Sequence, residues 1–183
     1  MNVTEQDLDA PRDLPIRDPR LKGLLDYWHS LRGDMALPRY RDVDPIAIPK
    51  LLSHVWCWSY DAEKSDFIGR LAGESVLEVF GSREMRGLSL NDFAEPELAA
   101  ILRERYLRVV QEPAIAHFIG VVRLQNDISI PVERLALPMC DRTAESRVIM
   151  GLSLYEWPGG ARSSPGFGGE EGSISWAPTG RGR

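Results

Sequence analysis

The stretch FIGRLAGESVLEVFG, from Phe67 to Gly81, changes its period halfway through. Its first half alternates as a strand does, Gly73 interrupts it, and from Ser75 the apolar spacing is that of a short helix. A chain that leaves a sheet through a glycine and coils at once must lay the helix over a sheet face. Neither element can bury its apolar side alone.

The flanking segments define the sheet. Val55 to Tyr60, in VWCWSYDA, is aromatic and β-branched and is closed by the turn DAEKSD, so Phe67 to Ala72 is its hairpin partner. Upstream, Leu21, Leu24, Leu25, Trp28 and Leu31 recur at helical steps from Arg20, and Gly33 stands where a helix stops. Pro49 opens a single helical turn. Downstream, ESVLEVFG and LSLNDF are two brief helices. A longer one carries Leu98, Ile101, Leu102, Arg105, Tyr106 and Val109 between Pro96 and Pro113. Three strands follow: Ala114 to Leu124, a run ending at Met139, and Val148 to Trp157, with a turn at Asn126-Asp127. Pro131 and Pro138 in the middle one require edge or bulge positions.

This order predicts an α+β domain over residues 20–157: a five-stranded antiparallel sheet, helices over one face, and an N-terminal amphipathic helix. Residues 1–19, with Pro11, Pro15 and Pro19 among charges, read as a flexible arm. Residues 158–183 are rich in Gly, Pro and Ser and read as a disordered tail.

Charge and composition narrow the function. The formal net charge is −5, from 22 Lys+Arg against 27 Asp+Glu, which argues against a nucleic-acid partner. Arg103, Arg105 and Arg108 read as the solvated side of their helix. No apolar run reaches the length of a membrane span, and MNVTEQDLDAPRDLP has no apolar signal core. Cys57 and Cys140, far apart, make no disulfide framework. The expected location is the cytoplasm.

Several spaced blocks then point to a family. YWHSLRG lies on the opening helix, and DVDPIAIPKLLSHV precedes the first strand. FIGRLAG leads into VFGSREMRGLSLNDF, and ERLALPM comes before GLSLYEW. Together, from Leu21 to Trp157, they resemble the bacterial single-domain PAS proteins. The resemblance implies a PAS core used in signal transduction, sensing a small molecule or binding a protein partner. It supplies neither catalytic residues nor the identity of a ligand. With only the tail beyond Trp157 in this sequence, signalling is expected to run through association.

The residues offer little competing chemistry. The histidines are His29, His54 and His117, and no G-x-S-x-G elbow accompanies them. His54 and Cys57, even with Cys140, fall short of a four-ligand zinc site. PAS relatives that hold haem or photoreactive flavin use a helix His or Cys over the cavity, and Ser75 to Gln111 contains neither. The expectation is no cofactor, no metal and no enzyme. The alternatives are a small isomerase or dehydratase using Asp92, Glu95 or His117, and an adaptor whose pocket is filled by its own side chains.

The candidates for a ligand-binding wall are Trp58, Arg70, Leu71, Phe80 and Arg134. An arginine in the cavity suits an acidic ligand, although alternation turns Arg70 away from Phe67, Gly69 and Leu71, toward an ion pair on the solvent face. Trp56, Trp58 and Tyr60 share one face of the first strand, as pocket floor or as the bed of the first helix. Leu21, Leu24, Leu25, Trp28 and Leu31 are the expected interface of a homodimer.

Overall fold

The computed structural model describes residues 2–125, 128–143, 147–157 and 167–179. The helices are α1 (Pro19–Arg32), α2 (Glu74–Phe80), α3 (Leu90–Phe93) and α4 (Pro96–Gln111). The strands are β1 (Asn2–Asp7), β2 (Val55–Asp61), β3 (Asp66–Ala72), β4 (Ala114–Leu124), β5 (Ser129–Cys140), β6 (Arg147–Tyr155) and β7 (Phe167–Pro178). They form one sheet in the order β1-β7-β4-β5-β6-β2-β3. Helices α2 to α4 pack on one face, and α1 packs on the other.

The expectation of five strands is corrected to seven. β7 comes from the segment read as a tail and pairs antiparallel with β4, from Ala114↔Pro178 to Leu124↔Phe167. β1 comes from the segment read as an arm and pairs parallel with β7, from Asn2↔Glu171 to Asp7↔Trp176. The physical reason is that β7 supplies Phe167, Ile174 and Trp176 to the core beneath the helices. The Gly- and Ser-rich composition hides those three side chains. The arm is anchored too, since Leu14 and Ile16 are buried on the α1 face. Residues 158–166 and 180–183 of the expected tail lie outside the described residues.

The prolines of β5 obey strand physics in an unexpected place. β5 is a central strand, yet each proline sits where one neighbouring ladder has ended. The β5–β6 pairing stops at Val132↔Tyr155, one residue past Pro131, whose carbonyl takes the Glu156 N–H. The β4–β5 pairing stops at Ala116↔Ala136, before Pro138. The Pro138 carbonyl instead accepts the Trp28 indole N–H at 2.9 Å. Both are local edges, so no ladder donor is lost.

That indole bond helps seat α1. Asp18 caps the helix by accepting the Arg20 N–H at 2.8 Å, and Pro19 takes the first helical position. Leu21, Leu24 and Trp28 are fully buried and Leu25 is 8% exposed, packed against Leu135, Leu137, Met139, Val148 and Met150 of the same chain. The homodimer interface expected on this stripe is therefore covered by the chain's own sheet, with Leu31 half-buried at its end. The outer face of β5 and β6 is apolar and needs that cover.

Gly73 leaves the sheet because nothing larger fits. A Cβ there would lie 2.3 Å from the Leu52 carbonyl oxygen, while its N–H donates to Val55 O at 2.8 Å. The close approach lets α2 start immediately over the sheet.

Candidate functional site

The space between sheet and helices is where a ligand would be enclosed. β2 contributes Trp56 and Trp58 as its floor, which answers the facing of that strand: the residues under α1 are Val55 and Cys57 instead. Tyr106 of α4 drops into the centre. Its ring centroid is 5.4 Å from that of Trp56 and 5.5 Å from that of Phe67. Phe93 of α3 stands edge-on to Trp58 at 5.6 Å and meets Phe80 of α2 at 4.8 Å. Phe80 in turn stacks on Phe167 of β7 at 5.6 Å. Among the described residues these rings fill the space, and the voids beside them, of about 20 and 30 Å³, both touch Trp56, Leu102, Tyr106 and Arg134.

The polar centre of the site is Arg134. Its Nε donates to Ser153 Oγ at 3.1 Å and its Nη1 to Glu170 Oε2 at 3.3 Å. Ser153 Oγ also accepts the Trp56 indole N–H at 2.9 Å. The guanidinium lies 5.4 Å from the Phe118 ring centroid. Arg105 of α4 closes on the other oxygen of Glu170, which is 1% exposed. Two mostly buried cations thus share one buried carboxylate. Burial alone would raise the Glu170 pKa, but Arg134 and Arg105 outweigh it and hold the carboxyl below its usual range. Burial pushes the Tyr106 phenol well up, so it stays neutral.

Three of the five candidate wall residues, Trp58, Phe80 and Arg134, come together here. Arg70 and Leu71 do not. Arg70 is on the opposite face, paired with Asp141 at 2.8 Å and lying over the Tyr40 ring at 4.2 Å. That is the ion pair its strand position implied. Leu71 is 42% exposed near the end of β3. Arg105 is corrected from solvated residue to buried partner, whereas Arg103 pairs with Asp66 at 3.0 Å nearer the surface. Glu170 was missed, because it stands in the glycine-rich segment GFGGEEGSISW. The alternation of Ile174 with Trp176 was the one available signal there.

Of the residues proposed for an enzyme, Asp92 and Glu95 flank the junction of α3 and α4, whereas His117 lies on the other face of the sheet. Asp92 closes a capping box with Ser89 at the start of α3. His117 is on the α1 face, where its Nε2 is 2.8 Å from Glu133 Oε1. Among the described residues no cluster of three His, Cys, Asp or Glu could hold a metal ion.

Comparison with known families adds one result: the PAS domain sequence model matches residues 16–154. The chain belongs to the PAS domain family. The matched span holds α1 and the five strands β2 to β6, so the two additional strands of this PAS domain lie outside it. Comparison with curated proteins finds no match. Among solved structures, this PAS domain is similar to a chain of the Vibrio cholera VqmA–ligand–DNA complex, at 11% identity and a TM-score of 0.46. The match covers 60% of this chain and 49% of the other, about half of its length. That likeness carries neither the ligand nor the DNA of that complex to this PAS domain.

Proposed function

We propose that this sensory or regulatory domain transmits its signal by docking a protein partner, with its enclosed interior packed by its own side chains. The observation that carries the reading is the size of the internal voids. Enclosed ligand sites hold about 300–1,000 Å³, whereas voids of about 20 and 30 Å³ hold single waters at most. Tyr106 would have to leave the ring cluster before a larger molecule could enter. The reading is also non-enzymatic, in line with Ser153 Oγ being engaged by Arg134 and Trp56 rather than held for attack. It places the protein in the cytoplasm, in line with the unpaired cysteines Cys57 and Cys140. No helix among the described residues is long and apolar enough to cross a membrane.

A second copy of the chain as partner would have to use a surface other than the buried α1 stripe. The test is native mass spectrometry of the purified chain, followed by remixing with a purified protein cross-linked to it in its source cells. The expected result is the bare chain mass and a saturable complex on remixing. A small molecule held at stoichiometric occupancy, whose removal shifts the indole N–H signals of Trp56 and Trp58, would overturn the reading.

A further inference from the structure

A second cavity lies on the other side of the sheet, beyond the end of α1. There the chain runs from Met35 to Arg41 alongside the end of β5, held by the Cys140 N–H donating to Pro38 O at 3.0 Å. Between this segment, the residues after β5 and the ends of β4 and β7 is an open cavity of about 450 Å³. It is more than ten times larger than either internal void and falls within the range of small-molecule sites. Its apolar wall is Met35, Ala36, Leu37 and Pro113. Met35 stays 36% exposed, although a methionine side chain gains by being covered.

The polar part is cationic. Among the described residues, Arg39, Arg41, Arg142 and Arg147 line the cavity with one carboxylate, Asp141. Asp141 is already engaged with Arg70 at 2.8 Å, and the Asp42 contact of Arg41 is an exposed one at 3.7 Å. Such an exposed pair offsets little charge. Among the described residues the ion pairs at this cavity are those of Arg41 and Arg70, and Arg39 and Arg142 are in neither. Arg39 and Arg142 thus place two guanidinium groups beside one apolar hollow, in a chain whose net charge is −5.

We infer that this cavity is a binding site for a small amphiphilic anion: an acyl or aryl chain against Met35, Leu37 and Pro113, with a carboxylate or phosphate head held by Arg39 and Arg142. Guanidinium forks match both head groups, and the mixed lining rejects a cation or a fully polar anion. The site is separate from the enclosed interior and stands whether or not that interior ever opens. It gives the regulatory domain a chemical input on its outer face.

Isothermal titration calorimetry with decanoate and with decyl phosphate, below their micelle concentrations, tests the site. One molecule of at least one anion is expected per chain, with decyltrimethylammonium and decanol binding at least tenfold more weakly. Arg39→Ser with Arg142→Ser should weaken the anion by about 100-fold or more, since each lost charge-assisted bond costs about 1.5 kcal/mol. Ala36→Trp, which fills the apolar wall, should weaken it while leaving the arginines in place. The relative affinity of the two anions identifies the preferred head group. The inference is overturned by the absence of saturable binding, by affinities unchanged in both variants, or by binding to phosphatidylglycerol vesicles without binding to either monomeric anion.

Discussion

His117 Nε2 lies 2.8 Å from Glu133 Oε1, on the face of the sheet that α1 covers. The ring is fully buried, and its Nδ1 has no hydrogen-bond partner. With Nε2 donating to the carboxylate, the neutral ring leaves a lone pair at Nδ1. Protonation would bury an N–H with no acceptor. Burial accordingly lowers the His117 pKa, aided by the Arg17 charge and opposed by Glu133. The unfolded chain, with its histidine near 6.5, then takes up a proton more readily than the folded one. Stability from this residue is complete above about pH 6.5 and is lost as the pH falls below it. The melting temperature should drop between pH 7.5 and 5.5, and His117→Gln should flatten that slope. It should not abolish it, because burial also lowers the His29 pKa and His29 acts in the same window. A slope unchanged by His117→Gln would show that the ring is not the source.

Glu133 does more than face the histidine. Its two oxygens accept the backbone N–H groups of Arg17 at 2.7 Å and Asp18 at 3.0 Å, at the point where the chain enters α1. Glu133→Ala strands those donors together with His117 Nε2, and should cost roughly 1–3 kcal/mol in urea unfolding. Glu133→Gln keeps one acceptor oxygen and should cost less. Equal losses for the two variants would mean that the carboxylate's hydrogen bonds are not what the site needs.

Among the described residues Glu170 is the one carboxylate paired with Arg134 and Arg105, so Glu170→Gln leaves both cations without a counter-charge. A loss of roughly 3–5 kcal/mol is expected. Combining Arg134→Met and Arg105→Met with Glu170→Leu should recover much of it, because an apolar set of similar size avoids burying charge. Denaturant midpoints for the single and triple variants check this directly.

Truncation after Trp157 would be harmless if the C-terminal segment were unstructured. Instead it removes Phe167, Ile174 and Trp176 from the core. At about 1.5–3 kcal/mol per large apolar side chain, the loss approaches the whole stability of a typical domain. The truncated chain should melt at least about 10 °C lower or show no cooperative transition. A melting temperature within about 2 °C of the full chain would mean that β7 contributes nothing to the fold.

The sequence by itself determined the elements whose apolar spacing repeats locally. The α1 stripe from Leu21 to Leu31, the hairpin of β2 and β3, the α4 face from Leu98 to Val109 and the strands β4 to β6 all stand where their periods place them. The ion-paired side of Arg70 was legible in the same way, because side chains alternate across a strand whatever it pairs with. Only the tertiary structure decided the rest. β7 is a strand because β4 offers it a ladder and the helix-side core takes its few large side chains, while its own glycines give it little intrinsic preference. Glu170 meets Arg134 across 36 residues and His117 meets Glu133 across 16, contacts that no local window contains. The filling of the interior is likewise a tertiary matter, set by Tyr106 standing among Trp56, Trp58 and Phe67. Packing of that kind depends on the distances between elements, and period and composition record only which side chains are available to fill them.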